Sequence, residues 1–307
     1  MSTFVELAAT EYDPSAFGAF DPGATGFTIG NARALMWMSQ LAYETGKPKT
    51  ITTVGELWGF KAVTPFIQHK IGVPASFDTC GIIGERPDAI MLAFAGTDPA
   101  VWETLATDVN FLPTPETNTH AGFQAALDAV TAEIERAIEK SKSSGKPLFI
   151  AGHSLGAALA ALAARFADRK GAKPRAVYGF GMPRVGGEQF QADYNASLGP
   201  LTFRLVHGLD IVARIPRSGL GFRHVGRELH CDSGNRFDPF APLSAVGSDT
   251  PAFAPELLNI FLAGIQGVLA GHILSPTGPG TFGPLFKFLP KPIRDHLQDR
   301  YYTALSP

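Results

Sequence analysis

Between Phe123 and Ile138 the apolar residues Phe123, Leu127, Val130, Ile134 and Ile138 recur at helical spacing. Glu133, Glu135, Arg136, Glu139 and Lys140 take the other face, so the pattern predicts an amphipathic helix lying on a core. Ser143 to Pro147 breaks it. The apolar run Pro147–Ile150 follows and reads as a buried strand, then an alanine-rich stretch predicts a helix to about Lys170. Further strand-like runs lie at 76–83 and 89–95, joined by a turn at 84–88, and at 176–180 and 202–206. A helix is predicted from Asn31 to Glu44, stopped by Gly46 and Pro48. Residues 1–29, with Pro14 and Pro22, read as an irregular arm. Strands alternating with helices imply an α/β fold, a mostly parallel sheet covered on both faces.

Residues 231–290 break this rhythm. They hold only six charged residues, with seven Phe, eight Pro and eight Gly. Such a segment is either an excursion packed over the core or an apolar surface with a purpose. Its most apolar part, Leu257–Ala270, is too short for a membrane span and contains Asn259 and Gln266.

Composition narrows the function classes. The chain has 307 residues, 45% apolar and 18% charged, with a formal charge of −2. That suits one large domain or two small ones, and the absence of a dense basic run argues against nucleic acid or a polybasic membrane contact. Two cysteines, Cys80 and Cys231, form no framework; two free thiols are the default, and one bridge is the alternative. The first Arg is Arg33 and the first Lys is Lys47, so the N-terminus lacks the basic and apolar regions of a secretory signal. The expectation from that reading is a cytoplasmic protein, with export by another route or a removed signal as the alternative.

The chemistry concentrates at Gly152-His153-Ser154-Leu155-Gly156. A serine between two glycines, after a buried strand and before a helix, is a nucleophile elbow, whose tight turn excludes bulk on either side. A serine hydroxyl needs a base to take its proton and a carboxylate to orient that base. In this architecture the acid and then the base follow the serine in the chain. Asp210, just past the run 202–206, fits the acid, with Asp232 and Asp238 as competitors on a polar loop. The base is one of His224, His230, His272 and His296, and order alone leaves His296 and His272 in front. The oxyanion hole needs two backbone N–H groups, one from Leu155 and one from the loop after Ala93-Phe94-Ala95-Gly96-Thr97.

With these residues placed, the chain resembles the class 3 lipase family of α/β-hydrolases. The matching stretches are Phe94–Thr97, His120–Phe123, Gly152–Gly156, Met182–Gly186, Asp210–Val212 with Ile215-Pro216, and Gly221–His224. The resemblance implies an α/β-hydrolase fold over one domain, 1–307, and cleavage of carboxylic esters of lipids, first of all triacylglycerols. It implies Ser154 as nucleophile, Asp210 as orienting acid, His296 as base, and Thr97 and Leu155 as oxyanion donors. A lid at about 98–108 would carry Trp102 as its apolar anchor, and Asp108 would steady the hydroxyl of Thr97. His120, Pro183 and Gly186 match structural positions, and Tyr301 and Tyr302 after His296 resemble the family's terminal segment. Two features depart from the pattern: Ala95 stands where many members carry Arg, and 231–290 is a longer insertion before the base than the fungal enzymes have. That insertion, with the lid, is expected to form an apolar acyl-binding wall or a second lid, with a mere packing layer as the alternative.

Other readings stay open on the same fold: short-chain carboxylesterase, phospholipase A1, feruloyl esterase, or a non-catalytic binding module. Metal readings at His224, His230, Cys231 and Asp232, or at Asp232, Asn235 and Asp238, lack the spacing of known sites. No metal or organic cofactor is expected, no nucleic acid and no transmembrane segment. The expected partner is an ester lipid, met in solution or at a lipid–water interface.

Overall fold

The computed structural model describes residues 7–70, 77–96, 113–244 and 291–307. Its strands are β1 (Ala62–Lys70), β2 (Phe77–Glu85), β3 (Ile90–Phe94), β4 (Leu148–His153), β5 (Ala176–Phe180), β6 (Thr202–His207) and β7 (Arg227–Cys231). They lie side by side in chain order. β1, β2 and β3 run antiparallel, and β3 to β7 are parallel. The helices are α1 (Ile29–Leu41), α2 (Pro48–Leu57), α3 (Ala121–Ala129), α4 (Thr131–Ser144), α5 (Leu155–Arg169), α6 (Glu188–Ser197), α7 (Lys291–Arg294) and α8 (Gln298–Ala304). This is the expected α/β-hydrolase architecture.

Side chains alternate across each strand, and both faces of this sheet are covered. In β3, Ile90, Leu92 and Phe94 join the core under α3, α4 and α5. Met91 and Ala93 join the opposite core with α1, α2 and α8. The central strands therefore read as unbroken apolar runs rather than alternating ones. The arm packs on the second core, where Arg86 lies over the rings of Phe17, Phe20 and Phe60.

Several elements differ from the sequence expectation. The amphipathic helix at 123–138 is two helices, divided at Val130 (φ −117°, ψ 17°). Val130 is still fully buried, so the apolar spacing runs straight through the break. Pro48 does not only end the preceding helix; it starts α2 at N1, where its missing N–H has no helical partner to lose. β1 was hidden by Pro65, which the sheet tolerates because β1 is an edge strand. Helix α6 buries only Phe190 and Tyr194, too thin a stripe to read. Cys231 ends β7, a strand the sequence pattern does not announce. Cys80 and Cys231 are free thiols.

The expected lid at 98–108, with Trp102 and Asp108, lies outside the described residues, as do 245–290 of the apolar insertion. In the described part of that insertion, Phe237 is buried and Phe240 is 92% exposed. Among the described residues no helix is long and apolar enough to cross a membrane.

Asp299, in the first turn of α8, is buried, and burial pushes its carboxyl up to about 6, only partly offset by Arg300 and nearby N–H groups. A raised acid stabilises the fold fully below its unfolded value, near 4, and that contribution is lost as pH rises through 6. A shift of this size corresponds to roughly 2–3 kcal/mol. Asp299→Asn should therefore unfold at higher urea than the wild type at pH 8 and at the same urea at pH 4. Equal midpoints at pH 8 would rule out the buried charge as the cause.

Candidate active site

Ser154 stands between the last residue of β4 and the first of α5, at φ 60° and ψ −130°. It is one of two non-glycine residues with positive φ among those described, and such strain persists only where the surroundings over-determine it. Its N–H donates to Phe180 O at 2.9 Å, which ties the turn to β5. A Cβ at Gly152 would sit 2.1 Å from Gly156 O, and one at Gly156 would sit 2.4 Å from Phe94 O. Helix and strands meet backbone to backbone here, so the two flanking glycines are steric requirements.

Asp210 lies three residues beyond β6, past Gly208 at φ 55°. Its Oδ1 accepts from Val212 N at 2.8 Å and Ala213 N at 3.4 Å. Its Oδ2 accepts from His296 Nδ1 at 2.9 Å and from the Tyr301 hydroxyl. Complete burial alone would push the carboxyl up, but His296 and the hydrogen bonds from His296 and Tyr301 outweigh it and hold the pKa below the usual value. His296 follows α7, and its Nε2 is 2.9 Å from Ser154 Oγ. With Nδ1–H committed to Asp210, Nε2 is the acceptor for the serine proton.

The structure thus brings together three of the five sequence-predicted residues, Ser154, Asp210 and His296. Leu155 adjoins them as the first residue of α5, where an N–H has no partner inside the helix. Thr97 lies outside the described residues, but Gly96 before it is close: a Cβ there would meet Ser154 Cβ at 2.9 Å.

The competing histidines are accounted for except His272, which lies outside the described residues. His224 is buried, donates from Nε2 to Ala213 O at 2.8 Å, and is held well below its usual pKa by burial and by Arg204 and Arg184. His230 is partly exposed, 3.9 Å from Asp232. Asp238 accepts from Phe240 N at 2.9 Å in a local turn. Among the described residues no group of three His, Cys, Asp or Glu gathers in a metal-holding arrangement. His120 caps α3 by accepting from Gly122 N, and Gly186 bridges Thr119 and Arg223.

Sequence reasoning missed a supporting layer. His153 stacks on His296 with ring centroids 4.6 Å apart. Its Nε2–H donates to His296 O at 2.9 Å, and its Nδ1 accepts from Tyr43 Oη at 3.0 Å. Burial, then the neighbouring His296, pushes its pKa down to about 3, so it stays neutral. The Tyr43 oxygen also accepts from Gly96 N–H and the Gln298 side chain, and burial raises its pKa. No short-range signal links positions 43, 96, 153 and 298, because only the folded sheet brings them together.

A serine on a strand-to-helix turn, within reach of an imidazole that is itself bonded to a buried carboxylate, has the arrangement of a nucleophile with its base and orienting acid. Residues 91–219 match the family model described as Lipase (class 3). It is 37% identical over 118 residues to a secreted mono- and diacylglycerol lipase 1 of Fusarium solani, covering 38% of this chain and 34% of that protein. It is 32% identical over 244 residues to a phospholipase A1-II 1 of Oryza sativa subsp. indica, covering 78% and 58%. The solved structure of lipase II from Rhizopus niveus superposes with a TM-score of 0.53 at 17% identity, covering 75% of this chain and 93% of that one, a likeness of fold. The chain spans between about a third and under two thirds of the length of the curated relatives it matches. Relatives from Fusarium, Malassezia and Penicillium are named as secreted, which overturns the cytoplasmic expectation. That expectation rested on the residues nearest the start, which report a leader only where a leader is part of the sequence read.

Gly156→Ala should lower unfolding stability by about 1–3 kcal/mol, the usual penalty for overpacking against atoms that cannot yield. Chemical denaturation measures it, and an unchanged midpoint would show that α5 can shift.

Proposed function

We propose that the chain is a serine hydrolase that cleaves carboxylic esters of lipids, acting as an acylglycerol lipase through an acyl-enzyme on Ser154. The observation that carries this reading is the line Ser154 Oγ, His296 Nε2, His296 Nδ1, Asp210 Oδ2, with 2.9 Å at both contacts. Ser154 attacks the ester carbonyl while His296 takes its proton. Asp210, ionised and fully buried, orients the imidazole and stabilises the imidazolium that forms. The N–H groups of Leu155 and Thr97 receive the oxyanion. His296 then protonates the leaving alcohol, and water repeats the cycle on the acyl-enzyme. These steps need no metal or organic cofactor.

We read 1–307 as one domain, with 98–108 as lid and the apolar insertion as part of the acyl-binding wall. The names of the fungal relatives support glycerides as substrates and an extracellular site of action. A second reading, phospholipase A1, draws on the rice relatives, whose similarity covers 78% of the chain. Both are acyl hydrolysis by the same residues.

Two measurements test the proposal. Ser154→Ala should lower hydrolysis of p-nitrophenyl esters by at least about 10³-fold with the fold intact, because the nucleophile has no substitute. An undiminished rate would remove Ser154 from the chemistry. Wild-type rates on a diacylglycerol emulsion should exceed those on phosphatidylcholine and on p-nitrophenyl acetate. Faster release of the sn-1 acid from phosphatidylcholine would select the phospholipase reading, and a peak at acetate would select a carboxylesterase.

A further inference from the structure

The turn that presents Asp210 has few bonds of its own. Along 207–211, Gly208 N donates to Cys231 O at 2.7 Å and Asp210 N to His207 O at 3.1 Å. The other three amides all end on the segment that carries His296. His207 N donates to Tyr301 Oη at 3.2 Å, Leu209 N to Asp295 Oδ2 at 2.8 Å, and Ile211 N to Pro292 O at 3.2 Å. Alternate residues of the acid's turn are therefore held by the base's segment.

Asp295 is the one charged side chain among those three acceptors, and it is 4% exposed. Its Oδ2 also accepts from Ser233 Oγ at 2.5 Å and from Lys291 Nζ at 3.2 Å, and Lys291 Nζ reaches Ser233 Oγ as well. Its Oδ1 lies 3.6 Å from His207 Nδ1. A Cβ at Gly208 would stand 2.3 Å from Asp295 Oδ2 and 2.1 Å from Ser233 Oγ, so the turn fits around this carboxylate without spare room. One residue further along the chain is His296, and one residue beyond Leu209 is Asp210.

We propose that Asp295 is a positioning residue, whose carboxylate locks the Leu209 amide and so sets the distance and angle between Asp210 and His296. The proposal rests on the serine-hydrolase reading above. Asp295 touches neither the serine nor the line of attack, and it acts through its two neighbours. The leverage is geometric. Asp210 and His296 are each adjacent to one end of the Asp295–Leu209 bond, and a displacement of about 1 Å in a reacting constellation can lower rate about 10²-fold. A charged acceptor suits this place because charge-assisted hydrogen bonds are about twice as strong as neutral ones. Lys291 and Ser233 balance the buried charge and fix its rotamer.

The test is kcat and KM on p-nitrophenyl butyrate, expressed per active site titrated with a fluorophosphonate. Asp295→Ala should lower kcat per titrated site about 10- to 100-fold with KM changed less than about twofold. Asp295→Asn, which keeps an oxygen for Leu209 N, should recover kcat to within about fivefold of wild type. A role confined to stability would instead lower the melting temperature and the number of titratable sites while leaving kcat per site unchanged, and that result overturns the proposal. So does an Asn variant as slow as the Ala variant, since the Leu209 bond would then not be what matters. Should Asp295→Ala fail to fold, Asp295→Glu keeps the charge and moves the acceptor; its kcat per site should fall, and a wild-type value refutes the inference. Wild-type protein that the fluorophosphonate does not label at Ser154 would defeat the hydrolase reading itself, and the role of Asp295 with it.

Discussion

The backbone contact between β4 and α5 across Gly152 and Gly156 is the constraint on which the rest depends. It forces Ser154 into a conformation that an isolated chain would leave, and three adjacent strands hold it there. β3 meets Gly156 through Phe94 O, β4 carries the turn, and β5 accepts the Ser154 amide at Phe180 O. The place of the serine is thus a property of the sheet. Its partners are not fixed the same way. Asp210 and His296 come from loops beyond the strands, and their positions depend on contacts between two segments distant in the chain.

Charge at this site is handled by saturation. A fully buried carboxylate is expensive unless its lone pairs are met, and Asp210 receives two backbone amides, an imidazole and a phenol. His153, pressed against His296, could have opposed protonation of the base. It is kept neutral by burial, with each ring nitrogen already committed, so it supplies surface and a hydrogen bond without a competing charge.

Legibility in the sequence followed the range of the interactions. The elbow, β3, β5 and β6 were readable because local spacing encodes them, and the acid was readable because it follows a strand end. Chain order and position favoured His296 with His272 as the main rival, and family resemblance strengthened that choice. The break at Val130 was invisible because packing kept the apolar period intact through it. β1 was invisible because a proline usually argues against a strand, and only its edge position permits Pro65. The roles of Tyr43, Asp295 and Tyr301 could not be read at all. Each is defined by partners dozens to more than a hundred positions away, as with Tyr43 and His153 or Tyr301 and Asp210.

The same arrangement explains how a long apolar insertion can precede the base without disturbing it. Ser233 and Lys291 are 58 positions apart, yet both meet on Asp295 beside the acid's turn. Closing a loop becomes only slowly more unfavourable as it lengthens, so residues added between two stapled ends change the stability of the staple little. What matters to the site is that the ends meet, and where. Sequence between them is then free to diverge, while the distance between Asp210 and His296 stays under the control of a short segment that carries the base, the anchor and Tyr301 together.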